Sequence, residues 1–257
     1  MIRSLSQPIE TAGWARYYDA HFAQHALAAA PAIAAYYETT ARGHDDRSLL
    51  DVACGTGQFA LWFLERGYSV LGIDLSEHVL RHARRRAQSH VDGGRARFTA
   101  ADATTFSVEE AFGLGTSLGN LVNLLADVDG VRHCLERVRA AVADGGTFVF
   151  DAVTRKGMWE GFNSVHVLET EDYLFVLRGI YHGGGEARSW VSGVVRGYEG
   201  HWERFQEKKV ITLFEPEVII DLLHSTGWST AWPAAISDPA TPLPDPAEHE
   251  RILFVAS

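Results

Sequence analysis

The chain has little cysteine, little positive charge and no long apolar run, and each shortage excludes a class of protein. Cys54 and Cys134 are its two cysteines and lie far apart, so neither a disulfide framework nor a zinc-binding spacing is expected. The 23 Lys and Arg against 33 Asp and Glu leave a formal net charge of −10. This balance argues against a broad nucleic-acid-binding face, because phosphate neutralisation needs clustered cations.

These shortages favour a globular protein of a reducing compartment that acts on small molecules. The chain has 257 residues, 46% of them hydrophobic and 22% charged, enough for one α/β domain with an elaboration. The most apolar early run, 26–37, contains Pro31 and lacks the ~18 apolar residues of a membrane span. We therefore expect a cytoplasmic protein with no targeting segment, membrane partner, nucleic-acid partner or metal, and the sequence leaves its oligomeric state open.

The stretch 48–76 organises the chain as strand, tight turn, helix and second strand. An apolar run around Asp51 is broken by Gly55 and Gly57, and aromatic residues then repeat at helical spacing. The second apolar run, 68–73, ends in Asp74. Glycines before a helix let a ligand approach the positive helix end, and an acid at the tip of the next strand can accept hydrogen bonds from a ribose.

This unit favours a bound adenosine, and the residues by themselves leave open which adenosine cofactor it is. Residues 55–60 also satisfy the looser dinucleotide fingerprint, a weak match. Asp51 is more informative, because an ionisable group inside an apolar strand is costly to bury unless it finds hydrogen-bond donors. The loop amides or a cationic ligand could supply them.

Three motifs in this order resemble those of class I S-adenosylmethionine-dependent methyltransferases: LLDVACGTG (49–57), GIDLS (72–76) and AADA (100–103). The resemblance implies S-adenosylmethionine as cofactor, with the first motif on its methionine part, the second on its ribose and the third on its adenine. A mild departure is Ala53, where the family often has Gly. The implied cofactor-binding residues are Asp51, Ala53, Gly55, Gly57, Asp74, Leu75, Asp102, Ala103 and Leu118.

The predicted fold is a Rossmann-like seven-stranded, mostly parallel sheet with helices on both faces, an N-terminal helical segment and an inserted antiparallel β cap. Strands and helices alternate up to Asp151, which predicts a parallel sheet with its ligand beyond the carboxyl ends of the strands. The predicted divisions are an N-terminal segment or lid, a cofactor-binding core, a substrate cap, and a C-terminal helix with strands that complete the sheet. Their ranges are 1–43, 44–154, 155–213 and 214–257.

The N-terminal segment predicts two helical pieces over 11–40, interrupted near Pro31. In relatives such a segment closes over the cofactor with an aromatic-aromatic-acid group, here Tyr17, Tyr18 and Asp19, near the pocket. Tyr18 is a candidate catalytic residue on that resemblance. The alternative is that these tyrosines only pack the helix against the domain.

The segment 117–120, SLGN, resembles a loop that in several small-molecule methyltransferases passes under the sulfonium and faces the substrate. Asn120 and Asn123 are therefore candidate substrate-binding residues, because an amide can donate to and accept from an acceptor group. The alternative role is to cap turns and the following helix.

After Asp151 four β-rich runs, 165–171, 173–181, 188–198 and 202–213, predict the antiparallel cap. Within it His166 and Trp202 are candidate substrate-binding residues. His201 and Glu203 are candidate catalytic residues, since alternate strand positions share a face and could pair as base and orienting carboxylate. For each of them a plain core or surface role is the alternative. The proline-containing segment 239–246 is expected to be a loop.

The function implied by the resemblance is direct displacement of a methyl group onto an N or O atom of a small molecule, as in enzymes of specialised metabolism. Alignment and desolvation supply much of the rate, so a base is optional. One alternative is a cofactor binder or cyclase that transfers nothing. A less favoured alternative is an NAD(P)-dependent oxidoreductase, but no Tyr has a Lys four positions later, as a short-chain dehydrogenase requires. A nucleotide-base methyltransferase should carry a Pro-Pro motif, which the chain lacks.

Overall fold

The protein forms a large mixed sheet and a small antiparallel one, in a computed structural model that describes residues 17–19, 23–196 and 200–257. Parts of the predicted N-terminal segment, at 1–16 and 20–22, and Tyr198 of the predicted cap lie outside the described residues. Residues 17–19 are helical.

The large sheet has its strands in the order β11-β10-β12-β5-β4-β1-β2-β3. Neighbours among β1 to β5 are parallel, and β12 runs antiparallel to both β5 and β10. The strand order reverses between β1 and β4, which is where open α/β sheets bind their ligands. The strands are β1 (Ser48–Val52), β2 (Ser69–Asp74), β3 (Ala96–Ala100), β4 (Phe112–Ser117), β5 (Val142–Val153), β10 (Ala231–Ala235), β11 (Asp238–Pro242) and β12 (Arg251–Ala256).

Helices cover both faces of this sheet, as predicted, and bury one apolar cluster on each. Leu135 of one helix and Leu222 of another belong to the first cluster, whereas Ile33, Phe63 and Leu80 belong to the second. The helices are α1 (Ala23–Thr39), α2 (Gln58–Leu64), α3 (Glu77–Arg86), α4 (Gln88–Asp92), α5 (Leu121–Leu124), α6 (Val128–Ala141), α7 (Arg155–Phe162) and α8 (Pro216–Ser225).

Helix α1 continues through Pro31, so the predicted interruption there is wrong. Pro31 is exposed, and the carbonyl that its missing N–H leaves unpaired can be hydrated on that side. The alanine-rich sequence on both sides of Pro31 favours the helical state. Neither α1 nor any other helix within the described ranges is long and apolar enough to cross a membrane.

The large sheet has eight strands where seven were predicted, because part of the expected proline loop forms β11. This strand pairs with β10 through Ala234 opposite Pro242 and Ala235 opposite Asp238. Strand β11 lies at the edge of the sheet and has a neighbouring strand on one side only. Pro239 and Pro242, which have no backbone N–H to donate, are tolerated there. The expectation that residues 239–246 form no element is therefore wrong in its first half.

The small sheet is the predicted antiparallel cap, with its strands in the order β6-β7-β8-β9. Side chains alternate across it, so Phe175, Val191, Phe205 and Ile211 are buried on the inner face. Helix α7, which connects β5 to the cap, was not predicted. Its one sequence signal is Thr154, whose side chain accepts from the Gly157 backbone N–H at 3.2 Å as an N-cap. The strands are β6 (Val165–Glu169), β7 (Tyr173–Ile180), β8 (Glu186–Arg196) and β9 (Trp202–Thr212).

Candidate active site

A crevice lies where the strand order reverses, between the loops that follow β1 and β4. The first loop begins at Ala53, and the second holds Leu118, Gly119 and Asn120. Parallel strands place their carboxyl ends at one edge, so Asp74 at the end of β2 and Asp102 after β3 lie at the same edge of the sheet. The three predicted cofactor motifs therefore meet at one edge.

Asp51 is a buried carboxylate at the end of β1 with one oxygen unsatisfied. The residue is 2% exposed, its Oδ1 accepts from Thr116 Oγ1 at 3.1 Å, and its Oδ2 has no hydrogen-bond partner among the described residues. Burial raises the pKa of Asp51 from 3.8 to about 7, and the charge of Asp74 also raises it, although the Thr116 bond opposes both. An ionised Asp51 thus requires a donor, and a cationic ligand group would supply one.

The loop from Ala53 to Gly57 turns through the left-handed backbone region three times. The φ angles are 58° at Ala53, 55° at Gly55 and 76° at Gly57. A Cβ on Gly55 would lie 2.8 Å from the Tyr18 ring, so there is no room for a side chain at position 55 on the crevice side. A Cβ on Gly57 would instead lie 2.7 Å from Ala83 Cβ, so Gly57 permits close packing of α3 against the loop.

Asp74 ties the glycine loop to the end of β2. Its Oδ2 accepts from the Gly55 backbone N–H at 2.9 Å and its Oδ1 from the Ser76 N–H at 2.9 Å. Burial raises the pKa of Asp74, while those backbone bonds and the positive charge of Lys209 lower it. Each carboxylate oxygen keeps a lone pair, so the group can still accept from a ribose diol. Leu75, next to it, is exposed.

The third motif forms a compact turn beyond β3. Asp102 Oδ1 accepts from the Thr104 backbone N–H at 2.8 Å and from Thr104 Oγ1 at 2.7 Å. Ala103 is buried in the core cluster beside the sheet. These two hydrogen bonds shape the turn, which follows β3 at the same edge of the sheet as Asp74.

Tyr18 lies directly over the glycine loop. The neighbouring Asp19 is held by Arg86 at 2.8 Å and by Gln58 Nε2 at 3.0 Å, which fixes residues 17–19 against α2 and α3. Burial raises the pKa of Tyr18, and the negative charges of Asp74 and Asp51 raise it further, so the phenol stays neutral. With Tyr18 in this position, the gap beside Asp51 measures about 10 Å³, and Tyr18 must shift before a ligand reaches Asp51.

A larger cavity of about 310 Å³ lies between the large sheet and the cap. Its wall on the core side includes Gly119 and Asn120 of the loop after β4, and its wall on the cap side includes Leu177, Lys209 and Ile211. Tyr18 borders both this cavity and the gap beside Asp51, so the two spaces adjoin at its ring. A volume of this size suits a small organic molecule.

The loop at Gly119 and Asn120 is fixed by the buried carboxylate of Asp151, which pairs with the partly exposed Arg251. Asp151 Oδ1 accepts from the Gly119 N–H at 2.8 Å and the Asn120 N–H at 2.6 Å, and its Oδ2 pairs with Arg251. Asn120 adopts a left-handed conformation with φ 56° and lines the cavity. His25 lies at the same cavity, where burial and the charge of Arg251 lower its pKa while Asp151 opposes them.

Comparisons with known proteins agree with this geometry. A family model described as a methyltransferase domain matches residues 49–146, which contain all three cofactor motifs. A protein named as a methyltransferase in Geobacillus sp. (strain WCH70) is 25% identical over 82% of this chain and 84% of its own length. Residues 49–146 therefore match a methyltransferase domain, and both matches support the S-adenosylmethionine-dependent methyltransferase that the sequence predicted.

Solved structures share the fold of this methyltransferase at lower identity. An S-adenosylmethionine-dependent methyltransferase from Clostridium acetobutylicum ATCC 824 superposes with a TM-score of 0.75 at 18% identity, covering 95% of this chain and 97% of that one. A sugar N-methyltransferase from Streptoalloteichus sp. ATCC 53650 also gives 0.75, at 21% identity over 98% of this chain and 94% of that one. The predicted family, fold class, enzyme class and cofactor are confirmed, with eight strands in the main sheet.

Asn123 of the methyltransferase, predicted as a substrate ligand, instead links the core to the cap. Its Nδ2 donates to the backbone carbonyls of Val153 at 3.2 Å and Thr212 at 2.9 Å, and its Oδ1 accepts from the Val153 N–H at 2.8 Å. The side chain is fully buried and its amide is occupied by backbone. Its role is therefore structural, because β5 and β9 would each lose a partner without it.

Four further predicted residues lie away from the cavity as the described residues define it. His201 and Glu203 are exposed at the start of β9, and Trp202 between them is 55% exposed on the outer face of the cap. His166 is also exposed, with its Nε2 2.8 Å from Ser164 Oγ. The catalytic and substrate roles assigned to these residues stay predictions.

The cavity brings together polar residues that the sequence did not single out: His25, Asp151 beneath the loop, Lys209 and Arg251. One signal was available for Lys209, since it alternates with Phe205 and Ile211 on the inward face of a predicted strand. Asp151 and Arg251 are 100 positions apart in the chain, so no local sequence pattern predicts that they pair.

Proposed function

We propose that this methyltransferase moves a methyl group to the amine nitrogen of a small polar molecule, of amino-sugar size, bound between the large sheet and the cap. The observation that carries the proposal is the cavity of about 310 Å³, which adjoins the cofactor crevice at Tyr18 and carries polar groups on both walls. The cap, residues 155–213, then selects the acceptor.

The residues of the crevice fit S-adenosylmethionine. Asp51 Oδ2 is a buried acceptor that needs a donor, and the ammonium of the methionine part provides one. Asp74 has lone pairs for the ribose hydroxyls, and the turn at Asp102 and Ala103 would flank the adenine. When bound, the cofactor supplies an electrophilic methyl carbon, and the protein's part is to align the acceptor and exclude water.

An amine acceptor is favoured because it requires only that its nitrogen be neutral. A solved structure that shares this fold over nearly the whole chain is, by its title, a sugar N-methyltransferase. Asn120 lines the cavity from the loop that Asp151 fixes, so its amide is well placed to orient the amine or a neighbouring hydroxyl. Rigid placement of this loop supports alignment of the acceptor with the carbon–sulfur bond.

A hydroxyl acceptor is the second candidate, and one observation favours it. His25 lines the cavity, and its partial burial lowers its pKa, which leaves the imidazole neutral and able to take a hydroxyl proton at neutral pH. The two candidates differ in their dependence on His25. An amine that is already neutral does not need it, whereas a hydroxyl does.

The test uses matched pairs of amino sugars and the corresponding hydroxy sugars, incubated with purified enzyme and S-adenosylmethionine. Mass spectrometry detects a gain of one methylene unit, and fragmentation locates the new methyl group. We expect products from the amino member of a pair, with His25→Ala largely active. Products from the hydroxy member, with loss of activity in His25→Ala, would overturn the nitrogen assignment. Arg97→Gln, on the exposed pair with Glu110, is the matched control.

A further inference from the structure

Lys209 is a cation on the inward face of the cap, at the wall of the acceptor cavity. It lies on β9 between Phe205 and Ile211, both buried, and opposite Ser189 of β8 in the sheet register. Its neighbour Lys208 points to the outer face and is exposed. The sequence thus places two lysines side by side, one facing the cavity and one facing solvent.

Two carboxylates act on Lys209 from two elements. Glu207 lies two residues earlier on the same face of β9, and Asp74 lies at the end of β2. Burial lowers the pKa of Lys209 from 10.5 to about 8, and the charges of Glu207 and Asp74 oppose that shift. The other ionisable groups on the cavity wall are Tyr18, His25, Glu250 and Arg251, the last already paired with Asp151.

Lys209 therefore connects the cofactor crevice and the acceptor cavity electrostatically. Asp74 is the carboxylate that would hold the cofactor ribose, and its charge acts on Lys209. Lys209 lines the cavity proposed for the acceptor, so a methyl group transferred to that acceptor would have to face the side of the crevice on which Lys209 lies. A positive sulfonium in that position would disfavour a second positive charge on Lys209.

We propose that Lys209 releases its proton when S-adenosylmethionine binds, and that the resulting neutral amine takes a proton from the acceptor ammonium. This inference rests on the proposed N-methylation. In the ligand-free protein Lys209 holds its proton beside Glu207 and Asp74. The departing proton goes to solvent, and the charge of the site changes little when the sulfonium arrives.

The proton and electron balance is complete with the named groups. An acceptor that enters as R–NH3+ gives one proton to the neutral Lys209 amine and becomes R–NH2. Its lone pair forms the N–C bond, and the electron pair of the C–S bond goes to sulfur. The acceptor leaves as the methylated ammonium, R–NH2+–CH3, and Lys209 stays protonated as in the ligand-free protein.

The experiment compares S-adenosylmethionine with S-adenosylhomocysteine, which lacks the sulfonium charge. Asp51 and the cofactor ammonium also titrate near neutral pH. Both ligands carry that ammonium, so the contribution of these two groups largely cancels when the proton release of one ligand is subtracted from that of the other. Calorimetry at pH 7.5 in two buffers of different ionisation enthalpy counts the protons released. We expect S-adenosylmethionine to release about 0.5 to 0.8 proton more than S-adenosylhomocysteine, since a group of pKa about 8 is mostly protonated at this pH.

Three variants complete the test. Lys209→Met should abolish the difference in proton release, whereas Lys208→Met, the outward-facing neighbour, should keep it. Lys209→Arg cannot lose its charge, so its affinity for S-adenosylmethionine should fall about tenfold relative to its affinity for S-adenosylhomocysteine. Thermal unfolding of each variant checks that it folds.

An equal proton release for the two ligands in the wild type overturns the proposal, and so does a difference that survives in Lys209→Met. Should Lys209→Met fail to fold, an unchanged affinity ratio in Lys209→Arg decides against the proposal. These failures are distinct from failure of the proposed function. If the proposed function fails, the enzyme does not methylate an amino sugar, or the methyl group is found on oxygen, whatever number of protons is released.

Discussion

Asp51→Asn replaces the buried carboxyl group of the crevice by an amide of nearly the same shape, and its effect on stability should depend on pH. In the wild type, burial raises the pKa of Asp51 to about 7, above its value in the unfolded chain. The folded protein therefore binds more protons than the unfolded chain between about pH 4 and 7. Stability that is present at low pH is lost as the pH rises through 7.

The magnitude follows from the two pKa values. With 3.8 for the unfolded chain and about 7 for the ligand-free folded protein, linkage gives a loss of about 2.5 kcal/mol in the free energy of unfolding between pH 5 and 8. An amide does not titrate, so Asp51→Asn should lack this loss. The variant also leaves one buried amide group without a partner. This lowers its stability, but the loss does not depend on pH because the amide does not titrate.

Urea unfolding of both proteins at pH 5 and pH 8, without cofactor, measures the effect. The free energy of unfolding of the wild type minus that of the variant should fall by about 2.5 kcal/mol from pH 5 to pH 8. Other titrating groups, including Asp74, are present in both proteins and largely cancel. Parallel pH dependences would refute the assignment of a costly, unsatisfied charge to Asp51. Saturating S-adenosylmethionine should stabilise the wild type more than the variant at pH 8, because the ammonium of the ligand satisfies Oδ2 of the wild type alone.

Three further outcomes are expected. Ala53→Gly should stabilise the protein by about 0.5 to 1 kcal/mol in thermal unfolding, because glycine adopts φ 58° without strain; a loss of stability would contradict this. Gly57→Ala should cost about 1 to 3 kcal/mol in urea unfolding, since its Cβ meets Ala83, and an unchanged midpoint would be incompatible with that contact. Asn123→Leu should loosen the cap by breaking three hydrogen bonds to backbone, seen as faster amide exchange in β9, and unaltered exchange would exclude the link.

The cofactor side of the site was predictable from sequence because its chemistry is local. Strand, glycine turn and helix follow within a few residues, so the positions of Gly55 and Asp74 could be inferred from spacing alone. The role of Gly57 could not, because the atom that a side chain would meet belongs to Ala83 in the next helix. Spacing therefore located the loop but not the reason for each glycine.

The acceptor side was less predictable because it is assembled from distant segments. Lys209, Arg251 and His25 meet at one cavity only after the cap packs on the large sheet. Sequence patterns marked the cap strands and their alternation, yet two lysines in succession give no indication of which one faces inward until the register is known. The choice of His201 shows the same difficulty, since a strand's alternation fixes a face but not how far along it the cavity extends.

A crystal structure with S-adenosylhomocysteine bound would show most directly whether the crevice holds the cofactor and the cavity faces its sulfur. We expect the ammonium of the ligand to lie against Asp51 Oδ2 and its ribose against Asp74, with Tyr18 moved off Gly55. The sulfur should face the cavity that Asn120 and Lys209 line. A ligand found elsewhere, or one bound while Tyr18 still covers the glycine loop, would contradict this expectation.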